Sequence, residues 1–241
     1  MASESLGLFV SFEGGEGTGK TTQATLLIER LKAMGHRVEA VHEPGGTDLG
    51  EYLREWVKGT NKPLTPAAEL LLFTAARAEL VRRVIRPELE KGVIVVADRY
   101  ADSTTVYQGY ARQVPLKFVA SANKLATDGI WPHLTFLLDA PNGVGLRRTR
   151  FQASFDEQGH IDRPGRPEEG DARRFEEAAD NFHKRVRDGY RKLALKEPGR
   201  WVVLDAERPV DRIFSDVWHH VQLLLVERAA PLADSGRLPG L

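Results

Sequence analysis

Residues 8–12 form a short apolar run between Gly7 and Gly14, and this pattern predicts a buried β-strand. After a Gly-rich stretch, Leu26, Leu27, Leu31 and Met34 recur at helical spacing over 22–34. A second short strand at 37–41 carries Val38 and Val41 and is stopped by Pro44 and the Gly45-Gly46 pair. Thr47 or Asp48 caps the next helix, which runs to about residue 58 with Leu49, Leu53, Trp56 and Val57 as its apolar side. Beyond a loop at 61–66, Pro66 suits the first turn of a long helix over about 67–90. The run Val93-Ile94-Val95-Val96-Ala97 is continuous and β-branched, as in a parallel strand covered on both faces.

The second half continues the alternation. Helices are predicted over 103–110 and 116–127, a strand at 134–138, and the start of a helix at 144–150. Between 152 and 171 Gly, Pro, Asp, Glu and Arg replace any apolar period, which reads as a long surface loop. Helical spacing returns over 174–196 through Phe175, Phe182, Val186 and Leu193, followed by a strand at 201–204 and a helix over 210–226. Residues 229–241 have no pattern and read as a loosely held tail. Strands alternating with helices imply an α/β protein, a three-layer fold with a five-stranded parallel sheet and helices on both faces. No linker divides residues 1–228, so one domain is expected there.

Composition narrows the chemistry. The 241 residues hold 34 Lys plus Arg against 34 Asp plus Glu, without the basic surplus of a chain that binds nucleic acid by neutralising phosphates. With no cysteine, disulfides, thiolate metal sites and Cys nucleophiles are excluded, which fits a reducing cytoplasm. The opening Met-Ala-Ser-Glu-Ser lacks the features of a signal peptide, and no apolar run approaches the roughly 20 residues of a membrane span.

The Gly-rich stretch carries the chemistry. Gly14 to Thr21 read G-G-E-G-T-G-K-T, the pattern of a phosphate-binding loop, set between a predicted strand and a predicted helix. Gly14, Gly15, Gly17 and Gly19 let backbone N–H groups approach a polyphosphate, and Thr18 lies within the same cradle. Lys20 brings a point charge to the β- and γ-phosphates, and the Thr21 hydroxyl is placed to ligate Mg²⁺. Asp98-Arg99-Tyr100 end the β-branched run, at the strand end where ligands collect in open α/β sheets. After the fourth strand the chain reads Leu-Asp-Ala-Pro at 138–141, so the Asn/Thr-Lys-x-Asp guanine reader of switch GTPases is missing. Arginines at strand ends and loops suit transfer between two anionic substrates.

These motifs in this order resemble a bacterial thymidylate kinase. The residues that carry the resemblance are Phe12 to Gln23, Glu43-Pro44-Gly45-Gly46-Thr47, Leu72 to Glu79, Asp98-Arg99-Tyr100 with Ser103, Tyr107, Gln108 and Gly109, and Leu137 to Pro141. The resemblance implies transfer of the γ-phosphoryl group of ATP to dTMP, with Mg²⁺, by a cytoplasmic homodimer. It implies that Phe73 stacks on thymine, Arg77 donates to its O4, and Thr104 reads the base edge with Ser103 and Gln108 nearby. Tyr107 would crowd out a 2′-OH, Arg99 would hold the acceptor phosphate with Arg54 as a second contact, and Asp98 would place that phosphate or the metal. Glu16 would face the sugar 3′-OH.

Two departures stand out. Family members usually carry Arg before Glu-Pro-Gly-Gly-Thr, where this chain has His42. Relatives with Gly at the Gly17 position place their catalytic arginine in a lid, here over about 151–173. Arg163, in Asp162-Arg163, and Arg174, in better register with the following helix, are the two candidates, and Arg147, Arg148 and Arg150 would line the approach. A kinase for another nucleoside monophosphate or deoxynucleoside is the alternative reading. A protein that binds ATP and transfers nothing is the rival from another class.

Overall fold

A computed structural model describes residues 7–59, 64–141, 144 and 169–229, with only the backbone at 58, 59, 169–179 and 229. Five strands, β1 (Phe9–Gly14), β2 (Val38–His42), β3 (Ile94–Asp98), β4 (Leu134–Asp139) and β5 (Trp201–Asp205), lie parallel in the order β2-β3-β1-β4-β5. This is the sheet that the strand–helix alternation predicts, each strand within a residue or two of its expected ends. Phe9, Val10, Phe12, Val95, Val96, Phe136 and Leu138 are buried, because helices cover both faces.

One face packs against α1 (Lys20–Ala33) and α8 (Val210–Ala229) through Leu27, Leu31, Ile213, Val217 and Val221. The other is covered by α3 (Pro66–Leu80) and its continuation, by the segment after β3, and by α7 (Glu169–Lys196), with Leu80, Ile85, Val106, Val186 and Tyr190 at its contacts. Helix α2 (Asp48–Gly59) packs outside α3. Thr47 caps α2, its Oγ1 accepting the Gly50 N–H at 3.1 Å, which settles the choice between Thr47 and Asp48.

The expected helix over 67–90 is not uniform. It runs as α3, a wider π turn at Val81–Ile85, and α4 (Arg86–Glu90). Pro87 gives a reason: it has no N–H, and its ring conflicts with the carbonyl four residues back, which the wider turn moves aside. The segment read as a helix over 103–110 is a single turn, α5 (Ala101–Thr104), followed by a π turn at Thr105–Ala111. Helix α6 (Leu116–Thr127) has its predicted ends, whereas α7 starts five residues before Arg174. The start of a helix predicted over 144–150 lies largely outside the described residues.

Parallel strands bring all carboxyl ends to one edge. Gly14, Asp98 and Asp139 meet there, with β1 between β3 and β4, so the phosphate loop and the Asp-Arg-Tyr segment leave the sheet side by side.

Candidate active site

The loop between β1 and α1 is shaped by close backbone approach. A Cβ at Gly14 would lie 2.6 Å from the Leu138 carbonyl oxygen, and Gly14 has φ +143°. Gly19, at φ +94°, begins α1 without a side-chain cap, and the first turn holds no acidic residue, so its N–H groups and the helix dipole favour an anion. Thr18 Oγ1 donates to the Gly15 carbonyl at 3.0 Å, and Lys20 Nζ to the same oxygen at 2.6 Å. Burial, with Arg99 adding to it, pushes the Lys20 ammonium down to about 7, a shift that a polyanion would reverse. Thr21 Oγ1 donates to Asp98 Oδ2 at 2.5 Å, tying the loop to the end of β3.

Arg99 stands next to this tie. Its Nη1 donates to the Gly14 carbonyl at 3.1 Å and to Ser103 Oγ and the Tyr190 hydroxyl at 3.3 Å, and its Nη2 to the Tyr107 hydroxyl at 3.3 Å. The guanidinium lies over the Tyr107 ring, 5.1 Å from its centroid. Burial works against its charge, but Tyr107, Tyr190 and Glu13 outweigh burial and keep it protonated.

Arg77 is buried and largely committed to the protein. Nε donates to both Glu43 oxygens at 3.0 and 2.9 Å, and Nη2 donates to Glu43 Oε2 and, at 2.9 Å, to Thr104 Oγ1. Nη1 donates to Asn123 Oδ1 at 2.9 Å. Burial would drive its proton off, and the Glu43 carboxylate outweighs that cost. A guanidinium has five N–H bonds, so these contacts leave one Nη1 hydrogen for a ligand.

One cleft of about 610 Å³ joins these groups. Glu16, Gly17, Lys20 and Thr21 line one part of it, and Phe73, Arg77, Thr104, Tyr107 and Gln108 another, with Asp98, Arg99 and Ser103 also on its wall. Phe73 is half-buried, as a ring that forms part of a cleft wall must be. Arg54 lines the same cleft, its Nη1 donating to the Pro44 carbonyl at 3.2 Å. Gly14, Gly15, Thr18 and Gly19 shape the loop without lining the cleft. His42 reaches the cleft wall, but its Nε2 is paired with Glu51 Oε1 at 3.1 Å. Arg147, Arg148, Arg150 and Arg163 lie outside the described residues, and Arg174 is described only as a backbone position in α7.

Several residues of the site carry no role in the sequence reading, Glu43, Asn123 and Glu13 among them. Glu43 belongs to a quoted motif but was given no role, and Asn123 sits on a helix that gave only apolar spacing. Glu13 is fully buried in β1, where Oε1 accepts the Tyr100 N–H at 2.8 Å and Oε2 accepts the hydroxyls of Ser103 at 2.6 Å and Tyr190 at 2.8 Å. Burial, with the Asp102 charge adding to it, raises its carboxyl to about 7. A carboxylate in a mostly apolar, buried strand was the signal for it.

The family model described as Thymidylate kinase matches residues 12–217, from β1 into α8. The chain belongs to the thymidylate kinase family. It is 44% identical over 214 residues to the thymidylate kinase of Deinococcus radiodurans, covering 89% of this chain and 96% of that one. To the thymidylate kinase of Syntrophotalea carbinolica it is also 44% identical over 214 residues, covering 88% and 94%. The crystal structure of thymidylate kinase from Ehrlichia chaffeensis superposes with a TM-score of 0.69 at 30% identity, over 90% of this chain and 98% of that one. The match to the thymidylate kinase model takes in every residue of the cleft, as well as Glu13, Asn123 and Tyr190.

Proposed function

We propose that this chain transfers the γ-phosphoryl group of ATP to the 5′-phosphate of dTMP, giving dTDP and ADP, on the route to dTTP. The observation that carries this reading is the single cleft in which the phosphate loop, Arg99 and the Phe73–Arg77 wall meet. An acceptor oxygen of dTMP attacks the γ-phosphorus while the bond to the β–γ bridging oxygen breaks, so no side chain needs to remove a proton. The protein has to hold two polyanions in line and counter the charge that develops between them.

In this reading Gly14 to Thr21 wrap the ATP phosphates and Lys20 spans the β- and γ-groups. Arg99 takes the acceptor phosphate, with Arg54 beyond it. Phe73 stacks on thymine, the free Nη1 hydrogen of Arg77 reaches its O4, and Thr104 reads the base edge with Ser103 and Gln108 nearby. Tyr107 lies against the deoxyribose and Glu16 meets the 3′-OH. An arginine from the lid, Arg163 or Arg174, completes the charge on the transferring group.

Mg²⁺ fits the oxygen donors present. The Thr21 hydroxyl and Asp98 carboxylate are hard oxygen donors 2.5 Å apart and would hold the ion together with phosphate oxygens. Among the described residues no group of three or more His, Cys, Asp or Glu is arranged to hold a metal by itself. The bound ion would supply charge neutralisation between β- and γ-oxygens.

The proposed partner is a second copy of this chain. Leu49, Tyr52 and Trp56 of α2, Leu71 and Leu72 of α3, and Phe118 and Leu125 of α6 are exposed on three helices that pack side by side. The apolar side of α8, Ile213, Val217, Val221 and Leu224, instead packs into the chain's own core. Sedimentation at micromolar concentration should give twice the 26.9 kDa chain mass, and a monomer would contradict it. The proposed location is the cytoplasm, as the resemblance implies; among the described residues no helix is long and apolar enough to cross a membrane.

The reaction is tested by separating the products of ATP and dTMP. Formation of dTDP and ADP in equal amounts, abolished in Lys20→Ala, supports it. Nucleotide binding without dTDP formation would sink it.

A further inference from the structure

Strand β1 is apolar at Phe9, Val10 and Phe12, yet ends in a fully buried carboxylate, Glu13, one residue before the phosphate loop. Burying a carboxylate costs several kcal/mol unless its lone pairs are engaged. Those of Glu13 are engaged by groups that bear on one neighbour, Arg99. Arg99 has φ +72°, in the left-handed region that a residue with a Cβ rarely adopts. The peptide that follows this strained residue is fixed by the Tyr100 N–H donating to Glu13 Oε1 at 2.8 Å.

The other oxygen acts on the guanidinium through two hydroxyls. Ser103 and Tyr190 both donate to Glu13 Oε2, at 2.6 and 2.8 Å. A hydroxyl has one hydrogen, so once that hydrogen goes to Glu13 its oxygen can only accept. Both oxygens then accept from Arg99 Nη1 at 3.3 Å. The carboxylate thus sets the backbone turn of Arg99 and the polarity of two of its side-chain acceptors. Neither Glu13 nor Tyr190 lines the cleft, whereas Arg99 and Ser103 do.

We propose that Glu13 is the positioning residue for acceptor binding: it touches no substrate but holds Arg99 at the angle at which the guanidinium receives the dTMP phosphate. Tyr190 extends the same network to α7, so this helix and the Asp-Arg-Tyr segment keep one register. Asp102 and Arg200, bonded at 2.6 and 3.0 Å, tie α5 to the turn between α7 and β5. The proposal rests on the placement of the acceptor phosphate at Arg99 given above.

The test is a double-mutant cycle read by steady-state kinetics for both substrates. Glu13→Gln keeps the size of the side chain and an oxygen for the Tyr100 N–H, but turns an NH₂ group toward the two hydroxyls. It should lower kcat/KM for dTMP by about tenfold or more while KM for ATP stays within about twofold. In an Arg99→Ala background the same change should add less than about twofold, because its effect passes through Arg99. Tyr190→Phe should give the same split between substrates, with a smaller loss.

An equal loss in both backgrounds, or KM values for ATP and dTMP rising together, would overturn the proposal by making Glu13 a general structural residue. A silent Glu13→Gln beside a damaging Arg99→Ala overturns this proposal alone. Unchanged dTMP kinetics in Arg99→Ala overturn the acceptor placement and this proposal with it. Should Glu13→Gln fail to fold, Tyr190→Phe, which removes a hydroxyl that bonds both Glu13 and Arg99 but does not line the cleft, is held to the same criteria in both backgrounds.

Discussion

Thr21 Oγ1 donates to Asp98 Oδ2 at 2.5 Å, joining the last residue of the phosphate loop to the end of β3. The two residues are far apart in sequence and meet because β1 and β3 pair in parallel, with Phe12 opposite Asp98. In the proposed reaction this hydroxyl and carboxylate would hold Mg²⁺ together with phosphate oxygens. Thr21→Ala and Asp98→Asn should each raise the Mg²⁺ concentration needed for half-maximal rate, with kcat falling about 10²-fold, of the order expected when one charge-stabilising group is lost. A Mg²⁺ titration at saturating ATP and dTMP checks this, and an unchanged midpoint in both variants would remove the pair from the metal site.

The Glu43–Arg77 pair is buried on both sides, with 8% and 2% of the side chains exposed. Removing one partner leaves the other charge without compensation, which typically costs about 3–5 kcal/mol. Glu43→Ala should lose about that much stability in urea denaturation. It should also raise KM for dTMP more than KM for ATP, because Arg77 is then free to leave the cleft wall. Stability within about 1 kcal/mol of the parent would show that the pair is replaceable.

Asp139 ties the end of β4 to α7. Arg187 Nε and Nη2 donate to it at 2.7 and 2.9 Å, and Arg191 Nη2 donates at 3.0 Å. Burial would raise this carboxyl, but Arg187 and then Arg191 outweigh burial and hold it below the usual carboxylate range. A depressed folded-state value means the stabilisation is present above the unfolded value, about 3.9, and is lost as pH falls through the folded one. Asp139→Asn should therefore be less stable than the parent at pH 7, by about 1–3 kcal/mol for charge-assisted hydrogen bonds. The gap should close below about pH 4. Thermal melts of both proteins across pH check it, and a constant gap would contradict it.

The proposed lid arginine is tested by turnover. Of Arg163→Ala and Arg174→Ala, at least one should lower kcat by about tenfold or more, roughly 1.4 kcal/mol of transition-state stabilisation. If neither does, the charge on the transferring group is met by residues already in the cleft, Lys20 and Arg99.

The sheet was legible because five short apolar runs, separated by helical periods and Gly or Pro stops, have few ways to fold other than as a parallel α/β sheet. The phosphate loop was legible because the backbone geometry it needs is written in glycines. The Pro87 turn was not, since Val81, Ile85 and Leu89 keep apolar residues at a spacing of four through the π turn, as a regular helix would. Arg77 was read for its ligand alone. Its Glu43 and Asn123 partners come from β2's end and α6, which no local pattern brings together. Glu13 stood in plain view as a charge in a buried strand, but its partners on α5 and α7 could be named only once the sheet had placed them.

The central claim is that the cleft accepts thymidylate. Coupled ADP release should be measured with dTMP, dUMP, dCMP, AMP and GMP as acceptors at equal concentration. The account predicts the highest kcat/KM for dTMP, with dUMP, which lacks only the methyl group, next and the purine nucleotides at background. Equal rates across the panel, or a preference for AMP or GMP, would contradict it.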